Sequence, residues 1–172
     1  MTVAFAEVET PVGGVLVAVT EVGLVASGWR VGDGERARLV QALGVEEVED
    51  SGRTAGIVGE LERYFAGELR VFGAVLDWRL TSVVQRKVLE TLRGVAYGKV
   101  VTYGELARLS GSGVPARGIG AIMGANPLPI VVPCHRVVAG NGLGGFSGGV
   151  GVETKRWLLT HEGYLQQTLL DL

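Results

Sequence analysis

The sequence changes character near residue 81, and this change constrains the fold more than any other feature. Before it, short apolar runs at residues 3–8, 15–20 and 24–29 are separated by glycine-containing turns, the pattern of an antiparallel meander. After it, apolar residues recur at helical spacing and capping sequences precede them. We therefore predict an α+β chain of two domains, an N-terminal α+β scaffold at residues 1–80 and a C-terminal, all-helical domain at residues 81–172.

The rest of the first half contains two predicted helices and one more strand. Residues 36–43 form a short helical pattern, and Ile57, Leu61 and Tyr64 share one face of a longer helix. Residues 69–78 are apolar enough to form a further strand.

The second half predicts a helix-turn-helix. A Ser-x-x-Gln cap at Ser82 begins one helix, which Gly98 ends, and a Thr-x-x-Glu cap at Thr102 begins a short helix. Residues 110–115 form a turn that leads into a second short helix at residues 116–125. An apolar, strand-like run follows at residues 129–132, and a final helix is predicted at about residues 152–162.

Three glycines interrupt that second helix: Gly118, Gly120 and Gly124. Each costs about 1 kcal/mol relative to alanine inside a helix. Their presence indicates that another surface comes very close, and this surface is either a packed helix or a nucleic-acid backbone.

The net charge of −2 hides an asymmetry. Residues 1–80 contain 13 acidic and seven basic residues, a net charge of −6, whereas residues 81–172 contain five acidic and nine basic residues, a net charge of +4. The second half can therefore attract phosphates. Neither a membrane-length apolar run nor a secretory signal is visible, so we expect a cytoplasmic protein without a membrane partner.

Cys134 is the single cysteine of the chain, and His135 and His161 are its two histidines. One cysteine cannot form an internal disulfide or a multi-thiolate zinc site, so Cys134 is either a buried apolar side chain or a nucleophile. A thiol attacks as a thiolate, and a neighbouring imidazole is a suitable base. Adjacent residues of a strand point to opposite faces, so the pair works only if the backbone turns or a water bridges the two side chains.

The wider segment favours the nucleophile. Residues 126–138 read Asn-Pro-Leu-Pro-Ile-Val-Val-Pro-Cys-His-Arg-Val-Val, which resembles the active-site signature of the O6-alkylguanine-DNA alkyltransferases, also called methylated-DNA–protein-cysteine methyltransferases. The resemblance includes Gly-Lys-Val-Val-Thr-Tyr-Gly-Glu-Leu-Ala at residues 98–107, Phe-Ser-Gly-Gly at residues 146–149 and Lys-Arg-Trp-Leu-Leu-Thr-His-Glu-Gly at residues 155–163. It implies a ribonuclease-H-like N-terminal domain and a C-terminal helix-turn-helix alkyltransferase domain.

The resemblance implies irreversible transfer of an alkyl group from O6-alkylguanine, and in some cases O4-alkylthymine, in double-stranded DNA to Cys134 after the nucleotide is flipped out. His135 then takes the thiol proton through a water, and Glu162 orients His135. Asn126 supports the turn around the cysteine, and Tyr103 donates a hydrogen bond to the base.

The resemblance also assigns DNA contacts and a base pocket. Arg117 is implied as a finger that enters the base stack. The other implied DNA contacts are Tyr103, Ala116, Gly118 and Ala121. The implied pocket residues are Ser147, Val137, Pro129 and Met123. Zinc-binding relatives use N-terminal cysteine and histidine residues that this chain lacks, so we expect no metal and no cofactor, in a monomer.

Three alternatives predict different behaviour. A non-catalytic sensor of alkylation damage or a helix-turn-helix regulator would bind DNA without needing Cys134. A Cys-His hydrolase would turn over repeatedly on acyl substrates.

Overall fold

The computed structural model describes residues 1–166, which form two compact units, Met1–Ser82 and a second unit that begins at Val83. Residues 167–172 of the predicted second domain lie outside the described residues. The predicted α+β class, with an N-terminal sheet and C-terminal helices, is confirmed. Among the described helices, none has the length and apolar character needed to cross a membrane.

The first unit is a four-stranded sheet with two helices. Its elements are β1 (Thr2–Thr10), β2 (Gly13–Thr20), β3 (Leu24–Gly28), α1 (Asp33–Leu43), β4 (Glu46–Glu47) and α2 (Ser51–Phe65). The strand order is β3-β2-β1-β4, and β4 is the one strand that runs parallel to its neighbour. The β1–β2 pairing runs from Thr10 opposite Gly13 to Val3 opposite Thr20, as expected for a tight hairpin.

Helix α2 packs against the sheet through the face that its spacing predicts. Ile57, Leu61 and Tyr64 are all buried, and α2 lies against β1 and β2. The side chain of Asp50 accepts a hydrogen bond from the backbone N–H of Arg53 at 3.1 Å, which satisfies one free donor of the first turn.

The strand predicted at residues 69–78 does not form. Leu24 donates a backbone hydrogen bond to Val75 at 2.9 Å, and Asp77 donates one to Leu24 at 2.8 Å, which makes an isolated bridge to β3. Phe72 is buried, but Val75 is 67% exposed. The apolar residues of this segment serve local packing and do not extend the sheet.

The second unit is helical except for one short pair of strands. Its elements are α3 (Val83–Leu92), β5 (Val101–Thr102), α4 (Tyr103–Ser110), α5 (Ala116–Gly124), a 3-10 turn (Cys134–Arg136), β6 (Val137–Val138) and α6 (Val152–His161). The expectation of an all-helical domain needs this correction: β5 and β6 pair in parallel, with Val101 opposite Val137. This pairing ties the residues before the helix pair to the residues after Cys134.

Helix α3 ends at Leu92, six residues before the predicted end at Gly98. The backbone N–H of Gly94 bonds to Thr91 at 3.0 Å and that of Val95 bonds to Leu92 at 2.9 Å. These bonds span three residues instead of four, so the chain tightens and leaves the helix.

Helices α4 and α5 form the predicted helix-turn-helix. Thr102 caps α4 by accepting a hydrogen bond from Glu105 N–H at 3.1 Å. A Cβ atom on Gly118 would lie 2.6 Å from the side chain of Val114, so this glycine permits a close contact with the preceding turn. A Cβ atom on Gly120 would meet only Tyr103, at 3.9 Å, and one on Gly124 would meet no described atom within 4 Å.

Candidate active site

The segment before Cys134 is a series of turns, not the strand-like run predicted at residues 129–132. Val132 N–H bonds to the carbonyl of Leu128 at 2.8 Å, and Ile130 has a φ of +74°. Asn126 holds the segment from both sides, because its Nδ2 donates to the carbonyl of Val132 at 3.0 Å and its Oδ1 accepts from the N–H of Leu128 at 3.0 Å. The left-handed backbone of Ile130 is strained for a β-branched residue. Such strain costs about 1–3 kcal/mol and is often found at functional sites.

Cys134 begins a 3-10 turn, so it and His135 do not have to point to opposite faces as they would in a strand. Cys134 is 6% exposed and His135 is completely buried. Burial raises the pKa of the Cys134 thiol, whereas hydrogen bonds from the Asn126 side chain and from the backbone of Cys134 and His135 act in the opposite direction. The cysteine therefore rests as a thiol in a site that contains donors for the thiolate.

His135 and Glu162 form a buried pair. His135 Nε2 lies 2.8 Å from Glu162 Oε2. Burial by itself would raise the pKa of Glu162, but hydrogen bonds from His135 and Arg136 outweigh it and hold that pKa well below its usual range. Because an ionised carboxylate only accepts hydrogen bonds, Nε2 of His135 carries a proton and Nδ1 is an acceptor.

Nδ1 of His135 has no hydrogen-bond partner among the described residues and is buried. Burial also lowers the pKa of His135, with the charges of Arg136 and Lys155 acting in the same direction and Glu162 opposing them. The imidazole is therefore neutral near pH 7, and its free nitrogen can take up a proton.

Arg136 neutralises the Glu162 carboxylate. Its Nε donates to Glu162 Oε1 at 2.8 Å and its Nη2 donates to Glu162 Oε2 at 3.0 Å, a two-pronged contact typical of arginine with a carboxylate. Its Nη1 donates to the carbonyl of Val95 at 2.7 Å, and its guanidinium lies 5.8 Å from the centre of the Tyr97 ring. Glu162 is thus fixed in orientation by three hydrogen bonds.

Tyr103 is half-buried at the start of α4. Burial raises the pKa of the Tyr103 hydroxyl, and the charge of a Cys134 thiolate raises it further. The phenol therefore keeps its proton and can donate it in a hydrogen bond. A Cβ atom on Gly144 would lie 3.0 Å from the Tyr103 hydroxyl, so the glycine-rich loop, residues 140–151, contacts this ring closely.

Helix α5 has one buried and one exposed face. Ile119 and Ile122 are buried, whereas Ala116, Arg117 and Ala121 are exposed. The exposed face contains three of the five predicted DNA-contact residues, whereas Gly118 is partly buried and Tyr103 lies in α4. No described hydrogen bond or ion pair joins Arg117 to the Cys134 turn.

The predicted pocket residues are spread over several elements. Val137 is buried, its N–H bonds to the carbonyl of Cys134, and its own carbonyl accepts from Lys155. Ser147 is exposed in the glycine-rich loop, and Pro129 and Met123 are partly buried. Because a carbonyl oxygen has two lone pairs, Val137 can still accept a second hydrogen bond.

The sequence predictions did not include two buried cations of the site, Arg136 and Lys155. Arg136 directly follows His135 and had no assigned partner. Lys155 shares a helix face with Leu158 and Leu159, both buried, and a lysine on an apolar face is the signal that could have revealed it.

The fold and the site define a class: a helix-turn-helix protein with a buried cysteine next to a buried pair of histidine and carboxylate. Residues 83–164 match the family model described as "6-O-methylguanine DNA methyltransferase, DNA binding domain". The chain is 41% identical over 136 residues to the methylated-DNA–protein-cysteine methyltransferase of Shigella flexneri, covering 74% of this chain and 78% of that protein. It is 44% identical over 114 residues to the protein of the same name from Mycobacterium bovis, covering 66% and 67%.

The comparison with solved structures agrees. A structure of Mycobacterium tuberculosis OGT in complex with DNA matches with a TM-score of 0.76 at 31% identity, covering 93% of each chain. The O6-methylguanine-DNA methyltransferase of Pyrococcus kodakaraensis matches with a TM-score of 0.62 at 26% identity, covering 94% of this chain and 99% of that one. The protein belongs to the methylated-DNA–protein-cysteine methyltransferase family, as the resemblance of residues 126–138 predicts.

Proposed function

We propose that the protein repairs alkylated DNA by transferring an alkyl group from O6 of guanine to Sγ of Cys134, once per protein molecule. One observation carries the proposal. Cys134 begins a 3-10 turn in the unit that contains the helix-turn-helix, and its neighbour His135 is paired with Glu162, with 2.8 Å between Nε2 and Oε2. Membership of a family named for this transfer supports the same conclusion.

The target carbon on O6 cannot be reached inside a duplex, so the nucleotide has to leave the base stack. This costs a few kcal/mol, roughly the energy of unstacking and unpairing one base. The guanidinium of Arg117 is exposed in the first turn of α5 and can fill the gap that the nucleotide leaves. The exposed small residues Ala116 and Ala121 let the same helix approach the DNA backbone.

The first chemical step is removal of the thiol proton. Glu162 accepts the Nε2 proton of His135 in a hydrogen bond, which leaves Nδ1 as the acceptor for the Cys134 proton, through an intervening water. Asn126 donates to the thiolate that forms. The proton moves from sulfur to imidazole, so the charge of the site as a whole does not change.

The second step is displacement at the alkyl carbon. The bond from Sγ of Cys134 to carbon forms while the bond from carbon to O6 breaks, and its electron pair leaves with guanine. Tyr103 donates a hydrogen bond to the departing guanine anion. The anion takes up the proton that left Cys134, so His135 returns to its neutral state. The product is a thioether, which no group in the site can cleave, so the reaction stops after one turnover.

Mass spectrometry of the intact protein tests the proposal directly. After mixing with duplex DNA that contains one O6-methylguanine, we expect one added methyl group, located on Cys134. The Cys134→Ala variant should gain none and still bind the DNA. Repeated turnover on an unmodified protein would indicate a hydrolase, and binding without any transfer would indicate a sensor or regulator.

The role of Arg117 has its own test. Arg117→Ala should slow transfer from duplex DNA much more than transfer from the free O6-methylguanine nucleoside, because only the duplex has to be opened. Arg63→Ala removes the same charge from an exposed position in the first unit and is the matched control. Equal losses on both substrates would rule out the finger role.

We further propose that the protein acts as a monomer, because one molecule contains every residue that the transfer requires. Sedimentation of the free protein, at the concentration used for the transfer assay, should give the mass of one chain.

A further inference from the structure

Lys155 is a charged side chain in the interior of the second unit that the proposed transfer steps do not use. It is completely buried, on the face of α6 that also contains Thr154, Leu158 and Leu159. Lysine is rarely buried unless its charge is paired, because the loss of hydration is costly. The structure therefore requires an explanation of what stabilises this ammonium.

Two backbone carbonyls bind the ammonium. Lys155 Nζ donates to the carbonyl of Val137 at 2.6 Å and to the carbonyl of Gly145 at 3.1 Å. Val137 begins β6, directly after the Cys134 turn, and Gly145 lies in the glycine-rich loop. An ammonium has three N–H groups, and the third has no acceptor among the described residues.

Among the described residues, no carboxylate lies within ion-pair distance of Lys155. Glu162, the buried acid of this site, pairs with Arg136 and His135 instead. Arg136 and Glu162 cancel each other's charge, which leaves Lys155 as the unpaired cation. Because the Tyr103 hydroxyl keeps its proton, the anion left for Lys155 to balance is the thiolate of Cys134.

The electrostatic coupling has the direction that this pairing requires. Burial lowers the pKa of Lys155 to about 8, and the Cys134 thiolate acts in the opposite direction. Reciprocally, Lys155 lowers the pKa of Cys134 against the effect of burial. The other ionisable groups that face this pair are His135, whose pKa Lys155 also lowers, and Tyr103.

We propose that Lys155 is a positioning residue for the transfer: its ammonium is the counter-charge of the Cys134 thiolate, and its two carbonyl bonds hold the glycine-rich loop against β6. This inference rests on the proposed function only in taking Cys134 as the nucleophile. The counter-charge acts before DNA is involved, so it can be measured without DNA.

The first experiment uses the unchanged protein. The chain contains three lysines, Lys87, Lys99 and Lys155, so their Cε resonances can be followed separately by NMR as the pH is varied. We expect one lysine to titrate near pH 8, and the rate at which Cys134 reacts with iodoacetamide to stop rising over the same pH range, because loss of the ammonium charge disfavours further thiolate. A reaction rate that keeps rising about tenfold per pH unit through this titration would overturn the proposal.

The second experiment measures the nucleophile. Cys134 is the single cysteine, so the rate of its reaction with iodoacetamide reports thiolate alone. Loss of a nearby opposite charge shifts a pKa by about 1–3 units, so Lys155→Met should move the pH profile upward by at least about one unit and slow the reaction at pH 7 about tenfold or more. Lys99→Met, at an exposed position, is the matched control and should leave the profile unchanged.

The two proposals fail in different ways. A folded Lys155→Met protein whose iodoacetamide profile matches that of the unchanged protein would overturn the role of Lys155, whatever happens with DNA. A shifted profile in a protein that accepts no methyl group from DNA would support Lys155 as the counter-charge and overturn the proposed function. If Lys155→Met does not fold, the lysine titration and the iodoacetamide profile of the unchanged protein decide together.

Discussion

The buried contact between Glu162 and Arg136 makes a prediction whose size follows from the structure. Glu162 accepts three hydrogen bonds: two from Arg136 at 2.8 and 3.0 Å and one from His135 at 2.8 Å. A glutamine at this position has nearly the same shape but replaces one oxygen with a donor. Whichever oxygen is replaced, at least one N–H group of Arg136 faces another N–H group.

Glu162→Gln also removes the negative charge that balances the guanidinium. Arg136 is 6% exposed, and its remaining acceptor is the carbonyl of Val95. Breaking a buried ion pair by removing one partner typically costs about 3–5 kcal/mol, because the other charge stays buried and uncompensated. We expect a loss of this size in the free energy of unfolding of the second unit.

Urea unfolding of four proteins measures this: the unchanged protein, Glu162→Gln, Arg136→Met and the double variant. The double variant should lose much less than the sum of the two single losses, with a coupling of about 0.5–3 kcal/mol or more for residues in direct contact. A single loss below about 0.5 kcal/mol, the usual range for surface substitutions, would refute the reasoning that the pair is buried and interdependent.

Three further predictions concern other positions. Gly144→Ala should lower both the stability and the transfer rate, because a Cβ atom there would lie 3.0 Å from the Tyr103 hydroxyl and Gly144 has a φ of +75°. Gly142→Ala, whose Cβ atom would meet no described atom within 4 Å, should change neither. Equal effects of the two variants in thermal unfolding and transfer assays would contradict this. Thr102→Ala should cost about 0.5–2 kcal/mol in urea unfolding, since it removes the cap of α4, and Thr102→Ser should restore most of that loss. Because the pKa of Glu162 is lowered in the folded state, its ionised carboxylate contributes fully to stability above about pH 4.5, its pKa in the unfolded chain, and this contribution is lost as the pH falls further. The stability difference between the unchanged protein and Glu162→Gln should therefore shrink in acid. A difference that grew in acid would contradict the lowered pKa.

Most elements of the fold were predictable because their signals are local. The three strands of the meander, the helices and the cap at Thr102 follow from periodicity and from side chains that bond to their own backbone. The predictions failed where an apolar run served a different purpose, at residues 69–78 and 129–132. The first run makes a single bridge and the second forms turns held by Asn126, and nothing in a short apolar run distinguishes these outcomes from a strand.

The sequence by itself determined the family and the candidate nucleophile, because a contiguous motif around Cys134 carries that information. The tertiary structure alone decided which charges are buried and which groups they meet. Arg136 lies 26 residues from Glu162 along the chain and Lys155 lies 18 residues from Val137, yet each pair is within hydrogen-bond distance. Burial and partner choice depend on how distant segments pack, and those two quantities set the protonation of the site, so no local pattern could have predicted them.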